Sequence, residues 1–289
     1  MIWPPRKFIL TITGALLTAA IAGCALLDAK QGEWIFRPTE GAWRGYTAAN
    51  TRFEEITIPV DNTGGTIHAW WSPSPNANAP VLLYLHGARW NLTGSSTRIP
   101  RWNQMGFSVL AIDYRGFGKS SPAPKGTPSE SSANTDSLAA WRYLESRAPM
   151  ARKFIFGHSL GGAIATQLAL NVRNAEGLIL EATFTNIAEM VKTYKYGFLP
   201  VSWLITQRFD TAQHITEINI PILIAHGTED QIVPYEMSEK LFAAARAKKR
   251  FFKAEGGTHH NLTSSFFDGY RDAVHAQFGL SAAAAGADQ

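Results

Sequence analysis

The chain has 289 residues, of which 45% are hydrophobic and 17% are charged, so it is too apolar for a disordered chain and long enough for a full core. The formal net charge is +4 and the longest basic run is only 248–250, so the charge pattern does not favour nucleic-acid binding. A single cysteine, Cys24, excludes an intrachain disulfide and a cysteine-rich zinc site.

The N-terminus has the plan of a targeting segment. Arg6 and Lys7 precede an uncharged apolar run over 8–20, and small residues lead from this run to Cys24. The run is shorter than the roughly 20 residues that a membrane span needs, and a basic start before an apolar run is typical of secretory signal peptides.

The segment Ile21-Ala22-Gly23-Cys24 resembles the lipobox of bacterial lipoproteins. This resemblance implies a signal peptide over 1–23, cleavage before Cys24 and lipidation of its thiol. We therefore expect a lipid-anchored protein of the bacterial cell envelope, and Ala25 in place of aspartate favours the outer membrane. An uncleaved anchor, or an ordinary signal peptide with an incidental cysteine, is the alternative.

After this segment, the sequence predicts a linker, a domain and a tail. Residues 24–50 have no clear period and predict a linker with loose structure. The domain is expected over 51–280, followed by a flexible Ala-rich tail at 281–289. The domain begins with a predicted antiparallel hairpin, because the strands 53–60 and 66–71 flank an Asn- and Gly-rich turn.

Short apolar runs then alternate with helical stretches. The runs are nearly continuous, as expected for strands covered on both faces, and they span 81–85, 107–112, 154–156, 178–180, 222–225 and 251–254. The predicted helices span 97–105, 132–147, 160–173, 235–248 and 264–278. This order predicts βαβ units in a three-layer α/β sandwich with a mostly parallel sheet.

One long insertion interrupts the alternation. Residues 184–216 are rich in aromatic and apolar side chains and lie between two predicted core strands. Because long segments of this kind inside a compact domain are usually functional, we predict a small helical cap here. An ordinary packing excursion is the alternative.

The motif Gly157-His158-Ser159-Leu160-Gly161 fits G-x-S-x-G and lies between a predicted strand and a predicted helix. In this context the serine occupies a strained turn that exposes its hydroxyl at the carboxyl edge of the sheet. The helix N-terminus behind it offers free N–H groups to an oxyanion. Ser159 is the candidate nucleophile, and a serine that only caps the helix is the alternative.

A serine nucleophile needs a histidine to take its proton and a carboxylate to hold that histidine. Two later loops offer both groups. HGTEDQIVP over 226–234 follows the strand 222–225 and contains Asp230, and GGTHHN over 256–261 contains His259 and His260. Nucleophile, acid and histidine therefore follow one another in the order that α/β-hydrolases use.

These motifs resemble the α/β-hydrolase superfamily, in particular its branch of small-cap serine hydrolases and serine aminopeptidases. The segments Leu85-His86-Gly87 and Asp113-Tyr114-Arg115-Gly116 extend the resemblance, which covers roughly 53–278. It implies that Asp113 and Arg115 build their loop, and that the residues after His-Gly and after the serine, Ala88 and Leu160, donate N–H groups to the oxyanion. The stretch Ala88-Arg89-Trp90 departs from the small or Asn-rich residues usual there and leaves the shape of the acyl pocket open.

The resemblance also ranks the acid and the base. It implies Asp230, in H-G-x-x-D-x-x-V-P, in preference to Glu229, and Glu181 after the strand 178–180 is the reserve acid. It favours His260 as the base because the catalytic histidine of relatives is often followed by Asn. Counting from Gly-Thr in the same loop favours His259.

The expected activity is two-step acyl transfer on a small acyl ester or thioester through Ser159, as in a carboxylesterase, without a metal or organic cofactor. An aminopeptidase-type enzyme is one alternative, in which Glu181 or Glu189 holds a free amine. A binding lipoprotein that keeps the fold without the chemistry is another. A dehalogenase is disfavoured because it has aspartate where this chain has Ser159. The sequence predicts no oligomeric state.

Overall fold

The computed structural model describes residues 22–39, 41–43, 46, 53–60, 64–193 and 202–280. Eight strands form one sheet, β1 (Glu54–Val60), β2 (Gly65–Ser72), β3 (Val81–Leu85), β4 (Ser108–Ile112), β5 (Lys153–His158), β6 (Gly177–Glu181), β7 (Ile222–Gly227) and β8 (Lys249–Ala254). The described helices are α1 (22–36), α2 (Ile99–Gln104), α3 (Glu130–Arg147), α4 (Leu160–Asn171), α5 (Ile187–Lys192), α6 (Thr211–His214), α7 (Tyr235–Ala244), α8 (Leu262–Ser265) and α9 (Phe267–Phe278).

The sheet has the strand order β1-β2-β4-β3-β5-β6-β7-β8. The N-terminal hairpin β1–β2 is antiparallel and joins β4 in antiparallel fashion, and all other neighbours are parallel. The predicted fold class is therefore confirmed. Each strand and helix that the hydrophobic pattern predicts overlaps an observed element. The strands from β3 to β7 are clearest, because a strand covered on both faces is apolar along its whole length.

Both faces of the sheet are covered. Along β3, Val81, Leu83 and Leu85 belong to one buried cluster with residues of α3, α4 and α7. The alternate residues Leu82 and Tyr84 belong to a second cluster with residues of α2 and α9. Because successive strand residues point to opposite faces, this division produces the three layers of helices, sheet and helices.

The N-terminal part of the predicted linker is folded, contrary to expectation. Helix α1 spans 22–36, with Cys24 exposed, while Gln31 and Phe36 are buried. The Gln31 side chain donates to Leu204 O at 2.7 Å, and the Phe36 ring lies 6.2 Å from that of Phe117. These distant contacts hold the helix, and no local period reveals them. Within the described residues, no helix has the length and hydropathy to cross a membrane.

The predicted cap contains short helical elements. Between β6 and β7 the chain forms α5, a 3₁₀ turn at Ser202–Leu204, α6 and a second 3₁₀ turn at Ile215–Glu217. Asn186 caps α5 by accepting a hydrogen bond from Glu189 N at 2.8 Å. The small helical cap is thus present, and residues 194–201 of it lie outside the described residues, as do the predicted signal segment up to 21 and the tail 281–289.

Candidate active site

Ser159 lies between β5 and α4 in a backbone conformation that is unusual for a residue with a side chain. Its φ is 54° and its ψ is −122°. Its N–H donates to Glu181 O at 2.9 Å, and its carbonyl accepts from Thr183 Oγ1 at 2.7 Å. Such strain persists only where surrounding contacts enforce it, and it is the conformation that a nucleophile elbow requires.

The glycines of the motif are required by close packing. A Cβ on Gly157 would collide with Gly161 O, and one on Gly161 would collide with Leu85 O. A Cβ on Gly162 would collide with the side chain of Thr183. The start of α4 therefore packs directly against the end of β3, which brings the turn after Ser159 to the loop after β3.

That loop carries the predicted oxyanion residue Ala88. Within the described residues, the backbone N–H groups of Ala88 and Leu160 make no hydrogen bond, so both are available to a ligand. Arg89 and Trp90 have φ values of 67° and 58°, and Arg89 N donates to Phe36 O at 2.7 Å. The end of α1 thus fixes the loop at the point where the sequence departs from the family pattern.

Asp230 lies in the loop after β7, and its carboxylate is fully buried. Oδ2 accepts from His259 Nδ1 at 2.6 Å and from His226 Nε2 at 3.0 Å. Oδ1 accepts from the N–H groups of Ile232 and Val233. Burial alone would raise the pKa of Asp230, but the hydrogen bonds from His226 and His259 outweigh it and hold the pKa below its usual range. The carboxylate is therefore ionised.

The structure pairs Asp230 with His259 and not with His260. His259 is 5% exposed, whereas His260 is exposed and its ring makes no hydrogen bond within the described residues. A carboxylate can only accept, so His259 Nδ1 carries the proton and Nε2 keeps its lone pair. The preference for His260 as the base is thereby reversed in favour of His259.

Asn261, the residue that favoured His260 in the sequence, has a structural contact of its own. Its Oδ1 accepts from Thr258 N at 2.8 Å and closes the loop that contains both histidines. The same loop is tied to the acid loop, because Glu229 N donates to Gly257 O at 2.8 Å. Asn261 therefore stabilises the loop, and its presence does not identify which histidine faces Asp230.

Glu181, the reserve acid, is fully buried and pairs with Arg98 on the N-terminal side of α2. Its nearest approach to a histidine is 3.9 Å, to His158 Nε2. Arg98 Nη1 also donates to His260 O at 3.3 Å, and His158 Nε2 donates to His259 O at 2.9 Å. Glu181 therefore supports the histidine loop through Arg98, and within the described residues it makes no hydrogen bond to a histidine ring.

Two of these histidines, His158 and His260, are neutral at pH 7. Burial, together with the positive charge of Arg98, holds the pKa of His158 well below its usual range. Partial burial and the neighbouring His259 and Arg98 lower the pKa of His260 to about 4. Lone pairs of imidazole nitrogens therefore gather beside Ser159, where they could accept a proton or a metal ion.

Three functional contacts escaped sequence reasoning. The sequence assigns no role to His226, yet its Nε2 donates to Asp230 while its Nδ1 lies 2.6 Å from Ser238 Oγ. Its position four residues before the acid was the available signal. For His158 the only sequence signal was its position in the elbow motif. Arg98 lies in no motif. By contrast, Asp113 and Arg115 are structural as predicted, since Arg115 pairs with buried Asp136.

Ser159 and His259, the candidate nucleophile and base, are not joined by a hydrogen bond within the described residues. Neither Ser159 Oγ nor His259 Nε2 has a partner there. Catalytic hydrogen bonds commonly tighten only when substrate binds, so this geometry fits an open site.

A cavity of about 570 Å³ lies elsewhere, among Asp28, Glu130, Gln167 and Gln207, and contains no member of the candidate triad.

Comparison with known sequences identifies the family. Residues 76–213 and 207–264 match the profile of Hydrolase_4, described as serine aminopeptidase, S33. The chain is 32% identical over 199 residues to the lysophosphatidylserine lipase ABHD12 of Danio rerio, covering 62% of this chain and 51% of that protein. It spans about half the length of the curated lipases that it matches. It is 29% identical over 235 residues to an uncharacterized protein of Mycobacterium tuberculosis, covering 80% of this chain and 81% of that one.

Solved structures share the fold at low sequence identity. An esterase of Pyrococcus furiosus superposes with a TM-score of 0.68 at 16% identity, covering 85% of this chain and 97% of the esterase. A soluble variant of the monoglyceride lipase of Saccharomyces cerevisiae superposes with a TM-score of 0.63 at 18% identity, covering 83% and 98%. With the profile match over well more than half of its length, the chain belongs to the S33 serine aminopeptidase family of the α/β-hydrolase superfamily.

Proposed function

We propose that the protein is a serine hydrolase that cleaves carboxylester or thioester bonds of acylated small molecules through an acyl-enzyme on Ser159. The observation that carries the proposal is the pairing of buried Asp230 with His259 at 2.6 Å, at the same sheet edge as the strained Ser159. An ionised acid, an oriented imidazole and a half-buried serine are the three parts of a catalytic triad.

The proposed reaction has two steps. Ser159 Oγ attacks the acyl carbon while its proton passes to His259 Nε2, and the N–H groups of Ala88 and Leu160 bind the oxyanion. The bond to the leaving group then breaks as His259 Nε2 returns the proton to it. Water repeats the sequence on the acyl-enzyme and releases the acid. Loss of one such oxyanion donor costs about 10²–10³-fold in kcat in a comparable enzyme.

Ester-type substrates are favoured over peptides with a free amine. An aminopeptidase needs an acidic side chain near the site that is free to bind the substrate amine, and both candidates already form ion pairs within the protein. Glu181 pairs with Arg98, and Glu189 pairs with Lys240 at 2.9 Å. The hydrogen bond from Lys240 lowers the pKa of Glu189, which keeps this internal pair charged. The lipid substrates in the names of two relatives point in the same direction, toward an acyl lipid or similar ester.

We also propose that the protein is anchored on the envelope through a lipid on Cys24. The lipobox-like segment motivates this, and the exposure of Cys24 is compatible with modification. Replacing Cys24 with Ser in the native host should release the protein from the membrane fraction. Retention of Cys24→Ser in that fraction to the extent of the wild type would contradict the lipid anchor.

The decisive experiment labels the purified full-length chain in detergent with a fluorophosphonate, alongside Ser159→Ala. The same samples are assayed with p-nitrophenyl esters of two to twelve carbons and with aminoacyl p-nitroanilides. We expect labelling and ester turnover in the wild type only, and the optimum chain length measures the acyl pocket. Turnover of anilides alone would establish the peptidase.

A folded protein that neither labels nor turns over any substrate would bring the binding-lipoprotein alternative forward. Circular dichroism and a cooperative thermal transition must match between wild type and Ser159→Ala for this conclusion. The substitution removes only an oxygen at a position where a side chain is already accommodated, so the fold is expected to survive.

A further inference from the structure

Three histidine rings from two loops meet beside Ser159. The ring centroids are separated by 4.8 Å for His158 and His259, 5.5 Å for His158 and His260, and 4.8 Å for His259 and His260. One nitrogen of each ring lies within 4.8 Å of the corresponding nitrogens of the other two. The proposed reaction uses only His259, so the convergence of the other two rings requires a separate explanation.

Each ring has a nitrogen free to bind a ligand. His158 Nε2 donates to His259 O and His259 Nδ1 donates to Asp230, which leaves His158 Nδ1 and His259 Nε2 with lone pairs. Neither of these two nitrogens, nor either nitrogen of His260, makes a hydrogen bond within the described residues. This is the usual arrangement of metal-bound histidine, in which the second ring nitrogen donates to a carboxylate or a backbone carbonyl.

The spacing also fits a metal. Imidazole nitrogens bound tetrahedrally to zinc at about 2.0–2.1 Å lie about 3.3 Å apart, and their ring centroids lie about 5 Å apart. The observed centroid separations of 4.8–5.5 Å are close to this value. The three ring nitrogens that lie within 4.8 Å of one another need to close by about 1.5 Å at most. His260 is exposed at the end of a loop and can make most of this adjustment.

We propose that His158, His259 and His260 form an inhibitory zinc site. His158 Nδ1, His259 Nε2 and one nitrogen of His260 would bind the ion, with water in the fourth position. Neutral imidazoles suit Zn²⁺ and related borderline ions, and disfavour Mg²⁺, which prefers oxygen ligands. The inhibitory effect rests on the proposed function, because the ion occupies the nitrogen that would take the proton from Ser159.

The binding test does not depend on catalysis. Full-length, untagged Ser159→Ala protein in detergent is titrated calorimetrically with Zn²⁺, and then with Mg²⁺. The same titration is made on this background with His260→Gln and, as the matched control, with His214→Gln on α6. We expect one Zn²⁺ per chain, no Mg²⁺, and an affinity that falls about tenfold or more only in His260→Gln, since even outer-shell partners cost about 10–100-fold.

The activity test uses the unmodified serine. Ester turnover of each protein is normalised to its own rate in EDTA and followed against Zn²⁺ concentration. We expect inhibition that EDTA reverses, with the inhibition curve of His260→Gln shifted about tenfold or more and that of His214→Gln unshifted.

Equal Zn²⁺ binding by the two histidine variants, or none by the parent, would overturn the site. Binding without inhibition of an active enzyme would overturn its inhibitory role. If the protein proves inactive on every ester, calorimetry still decides whether the metal site exists, so the two proposals fail separately.

Discussion

Two buried carboxylates stand at the ends of neighbouring strands and have different partners. Asp230, after β7, accepts hydrogen bonds from the rings of His226 and His259. Glu181, at the end of β6, pairs with the guanidinium of Arg98. Both carboxylates have no exposed surface, and by sequence alone both were candidates for the acid of the site.

Asp230 and Glu181 differ in role because their hydrogen-bond partners differ, although both lie at the same edge of the sheet. An imidazole changes charge when it takes a proton, so a carboxylate beside it can orient the ring and stabilise its charged form. A guanidinium stays charged and has no lone pair to use, so the pair of Arg98 and Glu181 can only hold structure. This pair still serves the site, because Arg98 donates to the backbone carbonyl of His260.

The largest expected effect separates the adjacent histidines. His259→Gln removes the base and should lower kcat by about 10⁴-fold or more, as loss of a triad member does elsewhere. His260→Gln should cost far less, because that ring does not contact Asp230. Rates on a p-nitrophenyl ester, measured at equal concentrations of folded protein, make the comparison. A greater loss in His260→Gln would restore the original preference for His260.

The two carboxylates should respond differently to neutral substitution. Asp230→Asn removes the acceptor that fixes the tautomer of His259 and should lower kcat by about 10⁴-fold with KM little changed. Glu181→Gln should produce a much smaller loss in kcat, since Gln can still accept from Arg98. If Glu181→Gln lowers kcat as much as Asp230→Asn, the distinction between the two carboxylates is wrong.

Breaking the buried ion pair should affect stability more than chemistry. Arg98→Met leaves the Glu181 carboxylate buried without its partner, which should cost about 3–5 kcal/mol of unfolding free energy. The double variant Arg98→Met with Glu181→Leu should recover most of this loss, because no charge remains uncompensated. Urea unfolding of the wild type, both single variants and the double variant completes the cycle. If the changes in unfolding free energy of the two single variants simply add in the double variant, Arg98 and Glu181 are not energetically coupled.

A smaller effect is expected at His226, which shares Asp230 Oδ2 with His259. His226→Gln can retain one hydrogen bond to Asp230 but loses the rigid ring that Ser238 orients, so kcat should fall about 10–100-fold, as when a supporting partner of a site is lost. His275→Gln, a change on α9 away from Asp230, is the matched control. An unchanged rate in His226→Gln would mean that the acid needs only His259 and its backbone donors.

The sequence predicted those features whose pattern lies within one contiguous segment of the chain. The strands from β3 to β7 are buried along their entire length, so their apolar runs are continuous and easily found. The strained turn at Ser159 needs glycines on both sides, so the elbow leaves a local motif. The acid and histidine loops follow strands of a parallel sheet, which determines the edge where they meet.

The remaining features depend on contacts between distant residues. Arg98 and Glu181 are 83 positions apart, and no pattern in either segment links them. Helix α1 is held by Gln31 and Phe36 against segments far along the chain, so its lack of a clear period concealed it. His259 and His260 are adjacent in one loop, and only the direction in which each ring points decides which one faces Asp230.

The smallest effect concerns the charge of His260. Partial burial, His259 and Arg98 lower its pKa to about 4, against about 6.5 for a free histidine. Between these values the unfolded chain binds a proton that the folded chain does not, so this residue's contribution to stability is lost as the pH falls from about 6.5 to 4. An NMR titration should show one ring with a midpoint near pH 4 whose resonance is absent from His260→Gln. A midpoint near 6.5 would instead show that the ring of His260 is solvated and unaffected by Arg98. The hydrogen bond from Arg98 to His260 O would then hold the loop less tightly than the structure indicates.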